Sequence, residues 1–181
     1  KGYDFEQTED NIERKRISDT FRVISLSFSN LGGASSVQEY FAKNGSRTYE
    51  ENIYEHLAEF FFTKRRYNDA ATTYTTFITA NPFHKKSPYF NMRVVEIYQK
   101  GGFPRLVIEA KKQFASTYGL NAEYWNYFNQ AEYPEALGYL KTNLVDLANH
   151  YHAMYQNAKF RREKPENFAE ATHWYREFLK S

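Results

Sequence analysis

Histidine is the first residue type to consider for chemistry, because it ligates metals and transfers protons near neutral pH. The five histidines are His56, His84, His150, His152 and His173. On a helix, the two-residue spacing of His150 and His152 turns their side chains about 200° apart, so they cannot bind one metal ion from the same face. No HExxH motif and no other i, i+4 pair of histidines occurs. We therefore predict packing or surface histidines and no metal ligands.

Two further patterns bear on catalysis. Residues 31–36, LGGASS, are the nearest approach to a phosphate-binding loop, but they lack the Gly-Lys-Ser/Thr ending and no predicted strand precedes them. Glu55 and Glu59 are spaced for one helical face, where paired carboxylates are usually just solvated. We expect no catalytic residue, no cofactor and no enzymatic activity.

Charge is nearly balanced along the chain. The 24 Lys and Arg against 22 Asp and Glu give a formal net charge of +2, and basic residues do not line one stripe with interleaved aromatics. Short basic runs at 14–16, 64–66 and 161–164 are interpreted as solvated faces or helix ends. The sequence therefore predicts no nucleic-acid partner.

The sequence gives few indications of the cellular compartment. The absence of Cys fits an oxidising compartment as well as a cytosol. No stretch approaches the roughly 20 apolar residues of a membrane span, and the start lacks the apolar core of a signal peptide. Because the chain begins at Lys1 rather than Met, we expect it to be a mature form or a segment of something longer.

The repeat structure is the strongest signal in the sequence. In residues 54–61, YEHLAEFF, apolar or small residues fall at i, i+3, i+4 and i+7, which predicts a helix. A second helix opens at Tyr67 and places Ala70, Tyr74 and Phe77 along one stripe, and Pro82 ends it. Since neither helix can bury its stripe alone, such a pair must stack on neighbours.

This pair resembles a tetratricopeptide repeat, a unit of 34 residues in which two antiparallel helices alternate large and small contact residues. The positions that carry the resemblance are Tyr54, Leu57, Ala58, Phe61, Tyr67, Ala70, Tyr74, Phe77 and Pro82. Arg65 departs from the pattern, because many repeats have a turn glycine there. The 16 Tyr and 16 Phe are accordingly interpreted as packing between helices rather than as a ligand cage.

Three degenerate copies surround this repeat. Upstream, Phe21, Ile24, Ser25 and Phe28 match the first helix, and Val37 and Phe41 the second. Downstream, Phe90, Val94 and Ile97 match the first helix, and Phe103, Leu106, Ala110 and Phe114 the second. After a short predicted helix at 122–128, a long helix from Pro134 to about Asn157 precedes a second-helix signature at Pro165, Phe168, Ala171, Tyr175 and Phe178.

The resemblance predicts an all-α, right-handed α-solenoid of antiparallel helix pairs, with about three and a half to four repeats, the last distorted. The predicted repeats are 18–48, 51–84, 87–118 and 134–181, with an insertion near 157–166. We expect a single domain over residues 12–181, preceded by a polar tail at 1–11.

In proteins that this chain resembles, a partner binds in a concave groove lined by first-helix side chains outside the packing stripe. In this sequence, the positions that correspond to the groove lining of the resembled family are Asp19, Arg22, Leu26, Asn30, Asn52, Glu55, Glu59, Phe62, Thr63, Asn91, Val95, Tyr98, Gln99, Asn149 and His152. From them we predict nine partner-binding residues: Arg22, Asn52, Glu55, Glu59, Phe62, Asn91, Tyr98, Asn149 and His152. Glu55 and Glu59 disfavour the carboxylate-clamp ligand of chaperone-binding relatives.

The resemblance implies a non-enzymatic scaffold that binds a protein or peptide, and the aromatic helices are similar to those of bacterial cell-envelope members, which favours a periplasmic location. Binding through the convex side, the insertion or the open ends, including self-association, is an alternative. One rival is a structural segment of a longer array, which predicts exposed apolar residues on the N-terminal helix. The other is an accessory domain of an enzyme encoded elsewhere in the full chain.

Overall fold

The computed structural model describes residues 11–181, with side chains from residue 13 onward. Every regular element in this part of the chain is helical and no β-strand occurs there, which confirms the all-α prediction. The α-helices are α1 (Asn11–Leu31), α2 (Ala34–Asn44), α3 (Glu50–Thr63), α4 (Tyr67–Ala80), α5 (Ser87–Gly101), α6 (Pro104–Tyr118), α7 (Pro134–Gln156) and α8 (Lys164–Lys180). The predicted tail, apart from residue 11, lies outside the described residues.

Proline and glycine set most of the helix boundaries. Each of α5, α6, α7 and α8 carries Pro in its first turn, where the missing N–H costs no helical hydrogen bond. Between α1 and α2, Gly32 and Gly33 adopt φ values of 132° and 69°. These positive φ values favour glycine at both positions of the turn, and Gly33 packs against the ring of Phe61.

The described chain divides into two compact units at the Gly102–Phe103 bond. The first unit contains α1 to α5 and the second contains α6 to α8. The division falls inside the third predicted repeat, 87–118, between its two helices. The helices pack in neighbouring pairs.

In the first unit, α1 packs on α3, α2 on α4, and α4 on both α3 and α5. The predicted packing residues fill these interfaces and are at most 2% exposed: Tyr54, Leu57, Ala58, Phe61, Ala70, Tyr74 and Phe77. Ring centroids of Tyr74 and Phe90 lie 4.8 Å apart, and those of Phe77 and Phe90 lie 5.2 Å apart. Their interpretation as packing residues is confirmed, and each buried ring contributes several kcal/mol before the entropy cost of ordering, at about 25 cal/mol per Å².

In the second unit, α7 packs along α8 and against α6. The predicted helix at 122–128 is instead a single 3-10 turn, Glu123–Asn126, because a compact aromatic cluster occupies the connection between α6 and α7. Tyr124 stacks on Phe128 at 4.6 Å and meets Tyr118 edge-on at 5.0 Å. The indole Nε1 of Trp125 donates to the carbonyls of Tyr118 and Gly119 at 3.2 and 2.9 Å, which caps the end of α6.

The packing face of α8 differs from the predicted stripe. Asn167, Ala171 and Trp174 are buried, whereas Phe168 is 57% exposed. The prediction was therefore wrong for Phe168 and correct for Ala171. A change of one residue turns a helix by about 100°, so choosing Phe168 rather than Asn167 rotated the predicted face toward solvent.

The turn between α3 and α4 places a non-glycine residue in the left-handed region. Among the described residues, Arg65 is the only non-glycine with positive φ, at 59°. The N–H groups of Lys64, Arg65 and Arg66 donate to carbonyls of residues 60–62, which closes the end of α3. Arg65 thus adopts a left-handed conformation at the turn position where many tetratricopeptide repeats, which this unit resembles, have glycine.

Arg65→Gly is expected to raise the free energy of unfolding by about 0.5–1 kcal/mol, because it removes a left-handed strain of roughly 1–2 kcal/mol while adding freedom to the unfolded chain. Urea unfolding followed by circular dichroism measures the change. Arg65→Ala is the matched control, since alanine removes the same exposed side chain but keeps the strain. Equal stabilities of the two variants would show that the backbone conformation is not strained.

Candidate partner-binding surface

The predicted partner-binding residues lie on four helices. In the first unit they are Arg22 on α1, Asn52, Glu55, Glu59 and Phe62 on α3, and Asn91 and Tyr98 on α5. In the second unit they are Asn149 and His152 on α7. The structure brings Glu59 and Phe62 together with Arg93 of α5, a residue that the sequence analysis did not select.

Glu59 is held by three donors from two other helices. Arg93 donates from Nε to Oε1 at 2.8 Å and from Nη2 to Oε2 at 2.9 Å, and the Tyr74 hydroxyl donates to Oε1 at 2.8 Å. Burial alone would raise the pKa of Glu59, but the hydrogen bonds from Arg93 and Tyr74 and the charge of Arg93 lower it. Burial raises the pKa of Tyr74, and hydrogen bonding to Glu59 raises that of Arg93.

Phe62 packs beneath the same guanidinium group. The Arg93 Cζ atom lies 4.4 Å from the centroid of the Phe62 ring, and Tyr67 meets this ring edge-on at 5.8 Å. The remaining guanidinium nitrogen, Nη1, donates to Glu96 Oε2 at 2.8 Å. Three of the five guanidinium N–H groups therefore already donate to carboxylates, so the charge of Arg93 is paired within the first unit.

Glu59 is one of three carboxylates spaced four residues apart on α3, each facing a basic residue of α5 or of the connection that leads into it. We call this set the acid ladder. The pairs are Glu51–His84 at 2.9 Å, Glu55–Lys86 at 3.6 Å and Glu59–Arg93 at 2.8 Å between nitrogen and oxygen. Glu55 and Glu59, both predicted to line the groove, are therefore paired within the first unit.

His84 is held in a defined tautomer at one end of the acid ladder. The backbone N–H of Lys86 donates to His84 Nδ1 at 3.2 Å, so Nδ1 is an acceptor and the ring proton lies on Nε2, which faces Glu51. Burial lowers the pKa of His84 despite the nearby Glu51 carboxylate. Protonation would place a second donor opposite the Lys86 N–H and break that hydrogen bond.

On the α1 side of the surface, an aromatic stack replaces the ion pairs. The Phe21 ring stacks on His56 with centroids 4.3 Å apart and planes 8° apart. Burial lowers the pKa of His56, although Glu55 and Glu59 act in the opposite direction. Arg22 pairs with Asp19 at 3.5 Å with both side chains more than half exposed, a geometry that contributes little stability.

Asn91 does not lie on this surface, because its side chain is only 5% exposed. Val95, assigned to the same groove from the sequence, is fully buried, whereas Tyr98 is half-buried. The adjacent buried residues Val94 and Val95 correspond to Leu57 and Ala58, one residue later than the register that we used. The signal available in the sequence was the adjacent pair Val94-Val95, which matches the adjacent pair Leu57-Ala58.

In the second unit, both predicted residues contact Tyr175 of α8. Its hydroxyl donates to Asn149 Oδ1 at 3.1 Å and lies 3.1 Å from His152 Nδ1. His152 Nε2 lies 3.1 Å from the amide nitrogen of Gln156. With Nδ1 as a donor and Nε2 as an acceptor, the imidazole satisfies both contacts, so this exposed cluster links α7 to α8.

A second set of charges joins the helices of this unit. Lys111 is 5% exposed and pairs with Asp146. Lys112 donates to Glu170 at 2.8 Å and lies 4.7 Å above the Tyr151 ring. Burial would lower the pKa of Lys112, but its hydrogen bonds to Glu170 and Tyr151 raise it. These lysines tie α6 to α7 and α8 and are structural in the arrangement seen here.

Three cavities occur away from the predicted residues. In the first unit, a mainly apolar cleft of about 470 Å³ lies between α1 and the start of α3, and a hydroxyl-rich cavity of about 320 Å³ lies between the α1–α2 turn and α4. The second unit has a cavity of about 280 Å³ beside the end of α6. None of these three is lined by a predicted partner-binding residue.

The Glu59–Arg93 pair is expected to contribute more than a surface ion pair. In a double-mutant cycle with Glu59→Gln and Arg93→Met, we expect a coupling energy of about 1–2 kcal/mol, because the contact is bidentate and partly shielded from water. The Arg105–Glu109 pair of α6, 90% and 54% exposed, is the control and should couple by about 0.3–0.5 kcal/mol. Equal couplings in urea unfolding would contradict a special role for the Glu59 contact.

His84 is expected to make stability depend on pH. Its folded pKa lies below the ordinary value of 6.5, so the unfolded chain binds the proton more tightly. The associated stability is therefore complete above that value and declines as the pH falls below it. Urea unfolding between about pH 7 and pH 5 should show a smaller decline for His84→Gln than for the unaltered protein. His56 and His150 shift in the same direction, so part of the slope should remain, and identical slopes would exclude the effect.

Among residues 11–181, no group of three or more His, Asp and Glu side chains is placed to hold a metal ion. Within the same residues, none of the helices combines the length and the apolar character needed to cross a membrane. Comparison of the chain with protein-family models, curated proteins and solved structures found no match. The geometry of the acid ladder and its surroundings is therefore the basis for assigning a function.

Proposed function

We propose that the chain is a non-enzymatic scaffold of tetratricopeptide-like helix pairs, stacked as a right-handed solenoid, that binds a protein or peptide partner. The observation that carries this proposal is the contact between Glu59 and Arg93, 34 residues apart. It joins α3 to α5, which are the first helices of successive predicted repeats. Packing of α1 on α3 and of α2 on α4 supports the same order, because first helices meet first helices and second helices meet second helices.

The proposed binding surface comprises Arg22 of α1 and the outward side chains of α3 and α5 in the first unit, centred on Asn52, Glu55, Glu59, Phe62 and Tyr98. Glu55 and Glu59 are 42% and 37% exposed, and Phe62 and Tyr98 are half-buried. The ion pairs hold these groups in place before a partner arrives, which reduces the ordering cost of binding. Because the carboxylates are already paired, we propose a partner recognised mainly by apolar and neutral polar contacts.

A second candidate function, a segment of a longer array, is favoured by the distribution of exposed apolar residues. On α1, Val23, Leu26 and Leu31 are 56%, 39% and 70% exposed, and Tyr40 of α2 is 46% exposed. Across α3, α4 and α5, which the structure describes in full, no large apolar side chain is exposed. An unpartnered apolar face on the first helix pair is what a missing neighbouring repeat would leave.

Two paired variants distinguish these functions. Partners captured from native lysate by the unaltered chain would be identified by mass spectrometry, purified and titrated calorimetrically against Phe62→Ala/Tyr98→Ala and Val23→Ser/Leu31→Ser. The scaffold proposal predicts at least about a tenfold loss of affinity, equivalent to 1.4 kcal/mol, for the first variant only. Far-ultraviolet circular dichroism would verify that both variants remain folded.

Loss of affinity in the α1 variant alone would favour the longer array. Full affinity in both variants would contradict binding through this surface. Asn52→Ala provides a further check at a residue outside the main hydrophobic core, and it should weaken binding without lowering the unfolding midpoint. Sequencing the intact gene would separately test for an enzyme domain in the same chain.

A further inference from the structure

The end of α2 carries the only Asn-Gly pair in the sequence, Asn44-Gly45. An asparagine can lose its side-chain amide when the backbone nitrogen of the next residue attacks its Cγ atom. Glycine makes that attack easiest, because it has no Cβ to crowd the nitrogen. At other Asn positions the following residue bears a side chain, so the sequence alone singles out one site.

The local structure leaves this site open. Asn44 is the last residue of α2 and is exposed, and the stretch 45–48 that follows it is exposed throughout. No heavy atom beyond its chain neighbours lies within 4 Å of the position that a Cβ on Gly45 would occupy. The surroundings of Gly45 are therefore uncrowded.

The attacking nitrogen is also free of hydrogen bonds to the described part of the chain. At the ends of α3, α4 and α5 the residue after the helix donates its N–H to a carbonyl of the last turn. Gly45 has no such acceptor among the described residues. An amide N–H outside a hydrogen bond loses its proton more readily, and the deprotonated nitrogen is the nucleophile.

We propose that Asn44 is a site of spontaneous deamidation in the folded protein. The Gly45 nitrogen gives up its proton and bonds to Asn44 Cγ, and the bond from Cγ to Nδ2 breaks, releasing ammonia and leaving a five-membered succinimide. Water then adds to one of the two ring carbonyls, opening the ring to aspartate or isoaspartate. No oxidant, reductant or enzyme takes part, and water is the co-reactant.

One hydrogen bond of the Asn44 side chain opposes the reaction and determines which part of the structure the reaction changes. Asn44 Nδ2 donates to the carbonyl of Tyr40 at 2.8 Å, so the last turn of α2 must fray before the side chain can reach the Gly45 nitrogen. After conversion this donor is lost and a negative charge stands at the negative end of the helix dipole. The reaction therefore loosens the last turn of α2, next to the buried ring of Phe41, and cannot be reversed by refolding.

The test is incubation of the folded chain in mildly alkaline buffer, with samples taken over time for peptide mapping by mass spectrometry. Conversion at Asn44 should be several times faster than at Asn30 and Asn149, which are also exposed but precede Leu31 and His150. Ion-exchange chromatography should show an acidic form, because the formal net charge of +2 falls by one. Asn44→Gln should lack this form.

Three results would overturn the proposal: conversion at Asn44 no faster than at Asn30 and Asn149, an equal acidic form in Asn44→Gln, or conversion only when urea unfolds the chain. Hydrogen exchange compares the purified acidic form with the starting protein. Reduced protection confined to the last turn of α2 would support the assigned consequence, and unchanged protection there would contradict it.

Discussion

The carboxylate of Glu59 is the point on which the arrangement of the first unit depends. It accepts from Tyr74 of α4 and from Arg93 of α5, so one side chain fixes how two helices lie against α3. Without Glu59, the hydroxyl of Tyr74, a residue only 2% exposed, would lose its acceptor, and the Arg93 guanidinium would retain only Glu96. Removing one partner from such a contact costs more than the contact contributes, because the remaining groups are left poorly solvated.

The packing of the aromatic rings also depends on the Glu59 contact. Tyr74 can bury its ring against Phe90 only because its hydroxyl has an acceptor at the edge of the core. Arg93 is similarly positioned both by Glu59 and by the Phe62 ring beneath it. The polar contact thus satisfies the Tyr74 hydroxyl and holds Arg93 over Phe62, while the buried rings supply the burial energy. This division explains why a chain rich in Tyr and Phe folds without exposed large apolar side chains on its central helices.

The sequence predicted the helices better than their faces. Helix ends follow Pro and Gly, which act locally, so the bounds of α4 and α7 agree with their predicted positions to within a residue or two. Faces depend on choosing the right residue in a periodic pattern, and an error of one residue rotates the face by about 100°. That error moved Asn91 and Val95 from the core to the predicted groove. For α8, the pattern offered Phe168 while the structure buries Asn167, because apolar character alone does not determine which side meets α7.

The candidate surface was only partly predictable for a related reason. Positions such as Glu55 and Glu59 were selected because they lie outside the packing stripe of α3, and this criterion identifies exposure but not pairing. Pairing depends on the length of the connection to α5, which places His84, Lys86 and Arg93 opposite successive turns of α3. With Lys86 and Arg93 in place, the charges of Glu55 and Glu59 are paired, whereas Glu51 accepts from a neutral His84 and keeps its charge. Around Glu55, Glu59 and Phe62, long-range electrostatic attraction would therefore contribute little to partner capture. A partner would then have to be selected at contact, by the fit of its apolar groups to the rigid surface around Phe62.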